Sequence, residues 1–234
     1  KTGIESIPLL YDLASVLKWQ GRLNESETVL MRIIELSNES DIYMLLGEIY
    51  FQKNRLNDSE HMFKKAIFYD KDNVQAYINL ANLYQKEKRL NDSEFTYLDA
   101  LKISNDSRAH TGLGEIYLQQ NKLFDAEIMF RKASDINPDF DYSLLGLSDV
   151  YLQQNKTDDA ELLLLKLIKT SNNTHAYFRL GELYYAQNRL KDTEQMLKKA
   201  IFYDKDNVQA YINLANLFQR ENKLNDSESI FLEV

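Results

Sequence analysis

The stretch from Lys64 to Glu94 reads KKAIFYDKDNVQAYINLANLYQKEKRLNDSE, and it recurs from Lys198 to Glu228 as KKAIFYDKDNVQAYINLANLFQRENKLNDSE. Only four positions differ between the copies, which lie 134 residues apart. A duplication of this size calls for a search for a shorter period inside it. The interval divides into four periods of alternately 33 and 34 residues.

Each period carries a Leu followed by a small residue, and the seven Leu residues are Leu13, Leu46, Leu80, Leu113, Leu147, Leu180 and Leu214. Positions are numbered here from the first residue of each repeat, so this Leu is position 7 and the small residue position 8. Position 11 is aromatic or Leu, position 20 is small, and position 24 is large and apolar. The seven repeats are 7–39, 40–73, 74–106, 107–140, 141–173, 174–207 and the incomplete 208–234, which residues 1–6 complete in phase.

This pattern resembles the tetratricopeptide repeat (TPR) family along essentially the whole chain. The resemblance implies an all-α fold, a right-handed superhelical solenoid of antiparallel helix pairs A and B. Small residues at positions 8 and 20 let the two helices approach, and large residues fill the space to the next helix. A single repeat cannot bury its own apolar face, so stacked neighbours stabilise it. The chain departs from the family pattern at position 32, where only Pro138 is proline.

Local signals place the two helices of each repeat. We expect helix A at about positions 2 to 14 and helix B from about position 17. Position 15 is Gly or Asn in every repeat except the third, where it is Lys88, and these residue types suit a left-handed residue after a helix. Asn57-Asp58-Ser59-Glu60, which recurs at Asn91 and Asn225, has the spacing of a capping box and predicts an N-cap at the start of helix B.

Composition excludes several classes of function. A formal net charge of −8 over 234 residues argues against binding to a nucleic-acid backbone, which needs clustered Lys and Arg. The chain has no cysteine, so disulfide and thiolate chemistry are absent. No apolar run reaches transmembrane length and no signal-peptide layout opens the chain, so we predict no membrane insertion in this window. Seven Gly and two Pro leave no room for a linker, and we expect one array over residues 1–234.

Catalytic and metal sites are not predicted. His61, His110 and His175 fall in different repeats without a second ligand at metal-binding spacing. Gly112 and Gly114 lie within a predicted helix A and lack the lysine of a phosphate-binding loop. We therefore expect no enzyme activity and no cofactor.

A groove is the best candidate for ligand binding, because the TPR resemblance implies that helix A lines a concave surface. Position 9 is acidic in four repeats, which would favour a basic or amide-rich ligand; the alternative is a solvated polar stripe. The candidate groove residues are Glu48, Asn79, Asn82, Glu115, Tyr142, Asp149, Phe178, Glu182, Tyr185, Asn213 and Asn216, with Met44, Phe51, Ile78 and Leu118 beside them.

Two known TPR binding modes can be compared with these positions. The carboxylate clamp of chaperone-binding TPR proteins needs Lys, Asn and Arg at fixed positions of three repeats. Here Asn82 is followed by Gly112 and then by Tyr142 and Gly146, so we reject it. The segment from Tyr77 to Leu83 and its copy are similar to the TPR arm of O-linked N-acetylglucosamine transferases, although only Asn79, Asn82, Asn213 and Asn216 match its asparagines.

Eight N-x-S/T triplets form a second ordered feature. In a secreted chain they would be glycan acceptors on turns or first helical turns, and they favour an extracellular or secretory location over a cytoplasmic one. The alternative is structural, because Asn suits turns and Ser at position 20 is a packing residue. The candidate acceptors are Asn24, Asn38, Asn57, Asn91, Asn105, Asn155, Asn172 and Asn225.

The phase of the last repeat suggests an end-to-end junction. The chain stops at position 27 of the seventh repeat, and residues 1–6 supply the missing positions. We expect one such window to abut another, by covalent continuation or between subunits, as a head-to-tail contact that forms a filament. The junction residues would be Ile4, Ile7, Leu10, Leu13, Ile230, Phe231 and Val234.

The sequence therefore predicts a non-catalytic scaffold whose partners are proteins, peptides or other copies of the chain. The alternatives are the substrate-presenting arm of a glycosyltransferase and a cytosolic peptide-binding adaptor. The full-length flanking sequence would distinguish these alternatives most directly.

Overall fold

The structure is a computed structural model, and it describes residues 6–232 of the chain. All regular secondary structure in that range is helical, which confirms the predicted all-α fold class. The helices are α1 (Ile7–Trp19), α2 (Leu23–Ile34), α3 (Ser40–Gln52), α4 (Leu56–Tyr69), α5 (Val74–Lys86), α6 (Leu90–Ile103), α7 (Ser107–Gln119), α8 (Leu123–Ile136), α9 (Asp141–Gln153), α10 (Thr157–Thr170), α11 (Thr174–Ala186), α12 (Leu190–Tyr203), α13 (Val208–Arg220) and α14 (Leu224–Leu232).

Each described repeat contributes one odd-numbered helix A and one even-numbered helix B. Every helix A occupies positions 1 to 13, one residue earlier than predicted, and every helix B starts at position 17 as predicted. The chain forms two compact halves that divide between Ile116 and Tyr117, inside α7. Within each half, the helices of one repeat pack on each other and on the next repeat. The predicted continuity of one array over residues 1–234 stays a prediction.

The turn from helix A to helix B has the same backbone geometry in every described repeat. Position 15 is left-handed throughout, with φ of 57° at Asn54, 61° at Lys88 and 75° at Gly21. The backbone N–H of position 16 then donates a hydrogen bond to the carbonyl of position 11. In the second repeat, for example, Arg55 N donates to Tyr50 O at 2.8 Å. These bonds are those of a Schellman-type helix end, and the predicted role of position 15 is confirmed.

The capping-box prediction at the start of helix B is wrong. Helix α4 already begins at Leu56, its N-cap is Arg55, and no side chain caps it. Asn57 therefore lies inside the first turn. Asp58 instead accepts a hydrogen bond from Arg55 Nε at 2.7 Å, and Ser59 is buried. The same motif thus places an acid near the helix N-terminus, where the helix dipole favours negative charge.

A buried hydroxyl links the two helices of several repeats at position 20. Ser59 Oγ donates to Gly47 O at 2.8 Å, and Ser93 Oγ donates to Ala81 O at 2.8 Å. Both serines are fully buried. Ala126 is equally buried at the same position without a hydroxyl. Close approach of the helices therefore needs a small residue, and the hydroxyl adds a hydrogen bond to it.

Successive repeats are also joined on the helix B side by arginines that stack on aromatic rings. The guanidinium of Arg89 lies 4.1 Å from the centre of the Tyr84 ring and donates to Glu60 of the preceding repeat at 2.8 Å. Arg189 makes the equivalent stack in the C-terminal half, 3.8 Å from the ring centre of Tyr184. Each contact combines a cation–π interaction with an ion pair, so it supports the stacking of neighbouring repeats.

Candidate functional site

The candidate site is the exposed surface of the odd-numbered helices at positions 5, 6, 9 and 12, which we call the A face of each half. Two pockets on the A face, one in each half, share a similar lining. We call them the N pocket and the C pocket. The N pocket is lined by Lys18, Glu48, Phe51, Gln52, Phe63, Asn79 and Asn82. The C pocket is lined by Gly181, Glu182, Tyr185, Thr193, Leu197, Asn213 and Asn216.

The N pocket has a volume of about 260 Å³ and lies between helices α3 and α5. Its carboxylate is already engaged, because Lys18 forms an ion pair with Glu48 and Asn79 Nδ2 donates to Glu48 Oε1 at 2.9 Å. The Tyr97 hydroxyl donates to Asn82 Oδ1. The amide NH₂ of Asn82 has no hydrogen-bond partner among the described residues, so it is a donor open to a ligand.

The C pocket has a volume of about 230 Å³ and lies between helices α11 and α13. Arg179 Nη1 donates to Glu182 at 3.0 Å, and Arg179 also pairs with Asp149 at 3.0 Å. Gln209 Nε2 donates to Asn213 Oδ1 at 3.0 Å. Asn216 is exposed and makes no hydrogen bond within residues 6–232, so its whole amide faces the pocket opening as donor and acceptor.

The four acids at position 9 have different electrostatic surroundings. Glu48, Asp149 and Glu182 each have a cationic partner from the chain itself. Glu115 has none in the described part of the chain, and Gln85 Nε2 donates to it at 3.0 Å. Burial raises the pKa of the Glu115 carboxyl, and the bond from Gln85 opposes that shift only in part. The acidic character expected for this surface is therefore concentrated at Glu115.

The apolar candidates differ in how far they reach the surface. Tyr142 is 60% exposed and Tyr185 is 38% exposed, so both rings are available for contact. Phe178 is half-buried. Ile78 is only 3% exposed, so its expected place beside the ligand is wrong. Its side chain packs between helices because position 5 of this repeat points into the core.

Several pocket residues were not predicted from the sequence. Phe63 and Leu197, both at position 24 of a helix B, reach the pocket floors. Lys18 and Arg179, which neutralise pocket carboxylates, were also missed. The signal for Arg179 is its place three residues before Glu182 on one helix face. Lys18 gives no comparable local signal, since its partner lies 30 residues away.

All eight asparagines of the N-x-S/T triplets are exposed. Their immediate surroundings differ. Asn38 Oδ1 accepts a hydrogen bond from the Tyr43 hydroxyl at 2.7 Å, whereas the triplets at Asn57 and Asn91 end in the buried serines that join helices A and B. The structure thus gives those two serines a packing role, and glycosylation stays a prediction.

The predicted end-to-end junction is only partly within the described residues, because Ile4 and Val234 lie outside them. Ile7 and Leu10 pack against the core of the first repeats, and Ile230 packs against the core of the last repeats. Among the described junction residues, Ile7, Leu10 and Ile230 are therefore partly covered by the chain's own core. Leu13 is 46% exposed and Phe231 is 45% exposed.

Within residues 6–232, no group of His, Asp and Glu is arranged to hold a metal ion. The same residues contain no helix that is both long and apolar enough to cross a membrane.

Known protein families were compared with this sequence. Two models described as tetratricopeptide repeat match the sequence, one at residues 117–182 and the other at residues 40–73 and 74–107. No curated protein sequence matches the chain.

Solved structures resemble the fold over most of its length. PilF from Pseudomonas aeruginosa superposes with a TM-score of 0.76 at 15% identity, covering 92% of this chain and 97% of PilF. A tetratricopeptide repeat protein from Parabacteroides merdae gives 0.76 at 16% identity, covering 97% and 91%. YrrB, described as a TPR protein with an unusual peptide-binding site, gives 0.56 at 17% identity, covering 77% and 95%. These identities support likeness of fold alone. The repeat pattern, the helix pairs and the matched models together show that this chain belongs to the tetratricopeptide repeat family.

Proposed function

We propose that this chain is a non-catalytic scaffold that holds an extended, polar peptide segment against its A face. TPR proteins are in general scaffolds for protein interaction. The observation that carries the narrower proposal is the composition of the two pockets. Each combines two asparagine amides, an apolar floor and a carboxylate that the chain itself has paired.

The amides suit a peptide because a carboxamide offers both donors and an acceptor to a backbone peptide group. Asn82 and Asn216 have donors that no described residue uses. The buried floor beside them, Phe63 or Leu197, offers apolar contact to one ligand side chain. Such a combination of apolar lining and a few polar groups is usual for ligand sites.

The electrostatics favour an amide-rich segment over a basic one at both pockets. Lys18 and Arg179 already occupy Glu48 and Glu182, so a ligand cation would have to displace them. Glu115 lies outside both pockets and is the place on the A face where a Lys or Arg of the ligand would gain most. Its carboxylate is half-buried and lacks a cation in the described chain, and a partly buried pair is screened less than an exposed one.

A matched set of blocking variants tests this proposal. A displayed library of random 12-residue peptides is selected against the full chain, and enriched peptides are tested against Asn82→Arg/Asn216→Arg. We expect that double variant to lose binding, because two long side chains fill the pockets. The control is Asn91→Arg/Asn225→Arg, which makes the same substitutions in the same duplicated stretch on exposed helix B positions. Binding that survives the first pair, or is lost only with the second, refutes an A-face site.

The glycosyltransferase-arm reading is the second candidate, and the same four asparagines favour it. Asn79, Asn82, Asn213 and Asn216 all line the pockets, in the way that inner-face asparagines of such arms grip a substrate backbone. A nucleotide-sugar-binding domain in the full-length protein would support this candidate over a stand-alone scaffold or a cytosolic adaptor.

Two narrower sequence predictions are kept as proposals with their own tests. Intact-mass measurement on protein from the native source tests glycosylation, since each occupied triplet adds the mass of a glycan. Sedimentation of the chain and of Phe231→Asp tests end-to-end assembly. Concentration-dependent assembly that the charge abolishes supports the junction, and a monomer at all concentrations contradicts it.

A further inference from the structure

We infer that the N and C pockets are two equivalent sites for one kind of ligand, so that each chain binds two copies of the same uncharged, amide-rich peptide segment. This inference rests on the proposed function and adds a stoichiometry and a ligand class to it. It is carried by the matching construction of the two pockets, which lie in separate halves of the chain.

Five of the seven lining residues of each pocket correspond at an offset of 134 positions. One wall is a glutamate at position 9 and an aromatic residue at position 12, the floor is position 24, and the other wall is two asparagines of the next repeat. The corresponding pairs are Glu48 and Glu182, Phe51 and Tyr185, Phe63 and Leu197, Asn79 and Asn213, and Asn82 and Asn216. The volumes, about 260 and 230 Å³, are also similar.

Glycine at position 8 is what opens the floor in both pockets. A Cβ at Gly47 would lie 2.6 Å from the Phe63 ring, and a Cβ at Gly181 would lie 2.9 Å from Leu197 Cδ2. Distances this short are below van der Waals contact. Because glycine has no side chain, the position-24 residue of helix B can reach the pocket. This holds for Phe63 beside Gly47 and for Leu197 beside Gly181.

The sequence offers this combination at two places only. Gly-Glu at positions 8 and 9, followed in the next repeat by asparagines at positions 6 and 9, occurs at Gly47 and at Gly181. Gly114-Glu115 has the first half of the motif, but the next repeat supplies Gly146 and Asp149. Two complete sites per chain are therefore expected, and no third.

The glutamate of each pocket has a cationic partner within the chain, but the partner comes from a different place in each half. In the N pocket the cation is Lys18, which comes from α1, whereas in the C pocket it is Arg179, which lies on α11 beside its own glutamate. The outcome is the same: a paired carboxylate next to a free amide donor. Both pockets thus favour an uncharged segment that offers carbonyl oxygens to the asparagines and one apolar side chain to the floor.

Calorimetric titration with a synthetic peptide from the library selection, uncharged and amidated, tests this inference. The expected stoichiometry is two peptides per wild-type chain. It falls to one in Asn82→Asp and in Asn216→Asp, and the double variant shows no measurable binding. Aspartate keeps an acceptor for the Tyr97 hydroxyl, removes the amide donor and adds one negative charge. The matched controls add the same charge on helix B. Asn91→Asp and Asn225→Asp are the matched controls, with two peptides bound.

Three outcomes separate the claims. One peptide per wild-type chain, lost in only one of the single variants, overturns the equivalence of the pockets and leaves the proposed A-face function standing. Two peptides per chain that persist in the double Asp variant overturn both. Enrichment of basic peptides whose affinity depends on Glu115 overturns the uncharged ligand class.

Discussion

The position-20 serines provide a comparison within one molecule. Ser93 and Ser227 occupy the same place in two copies of Asn-Asp-Ser-Glu, and both are buried, at 0% and 2% exposure. Ser93 Oγ donates to Ala81 O at 2.8 Å, whereas Ser227 Oγ has no hydrogen-bond partner among the described residues. The same buried serine is therefore hydrogen-bonded in one copy of the motif and lacks a hydrogen bond in the other.

Replacing each serine with alanine is expected to have opposite consequences. Ala126 shows that alanine fits this position fully buried, so no large cavity arises. Ser93→Ala removes one intramolecular hydrogen bond and should lower the free energy of unfolding by about 1 kcal/mol. Ser227→Ala removes a buried hydroxyl that pays its desolvation without a bond, so stability should stay the same or rise by up to about 1 kcal/mol.

Urea unfolding of the two single variants measures this difference. Because repeat arrays open locally, native-state hydrogen exchange of the amides in α6 and α14 is measured beside it. Equal losses in both variants, or a larger loss for Ser227→Ala, would refute the reasoning about position 20. A neutral Ser93→Ala would show that the hydroxyl contributes nothing beyond its small size.

Three further predictions follow from single positions. Lys88 has φ of 61°, so Lys88→Gly should relieve left-handed strain and raise the free energy of unfolding in urea by up to about 1 kcal/mol; an unchanged or lower urea midpoint would contradict this. Burial raises the pKa of the Glu115 carboxyl, so its contribution to stability is greatest below the unfolded pKa and is lost as pH rises through the folded pKa. Glu115→Gln should therefore gain stability relative to wild type in urea titrations as pH rises above about 4, and a pH-independent difference would contradict this. Arg89→Ala removes the stack on Tyr84 and the pair with Glu60 and should cost about 1 kcal/mol, a loss that shrinks at high salt if the ion pair carries it.

The sequence predicts the helix boundaries and the turns of the repeats well, because these depend on residues that are close together in the chain. Position 15 is left-handed even at Lys88, since the length of the turn between the helices leaves the backbone no alternative. The capping box failed for a related reason. Arg55 and Asp58 pair with each other at the helix start, and Ser59 is drawn into the contact between helices. Tertiary packing therefore overrides a local signal that is itself genuine.

The site is predicted less completely than the helix boundaries and turns. Periodicity places Asn82 and Glu48 on one face, because both lie at position 9 of a helix A. It does not predict that Lys18 reaches Glu48 from a helix 30 residues away, because the conformations of long side chains depend on distances between helices. Ile78 was predicted to lie beside the ligand, but it is buried. The periodicity does not predict this, because the burial of position 5 depends on the neighbouring repeat.

In the proposed function, the pocket asparagines contact the ligand. Side-chain amide resonances of a chain labelled with ¹⁵N-asparagine, followed during titration with the selected peptide, test it most directly. The resonances of Asn79, Asn82, Asn213 and Asn216 are expected to shift together, while those of Asn57, Asn91 and Asn225 on helix B stay unchanged. Shifts confined to the helix B asparagines, with the four pocket amides unmoved at saturation, would contradict it.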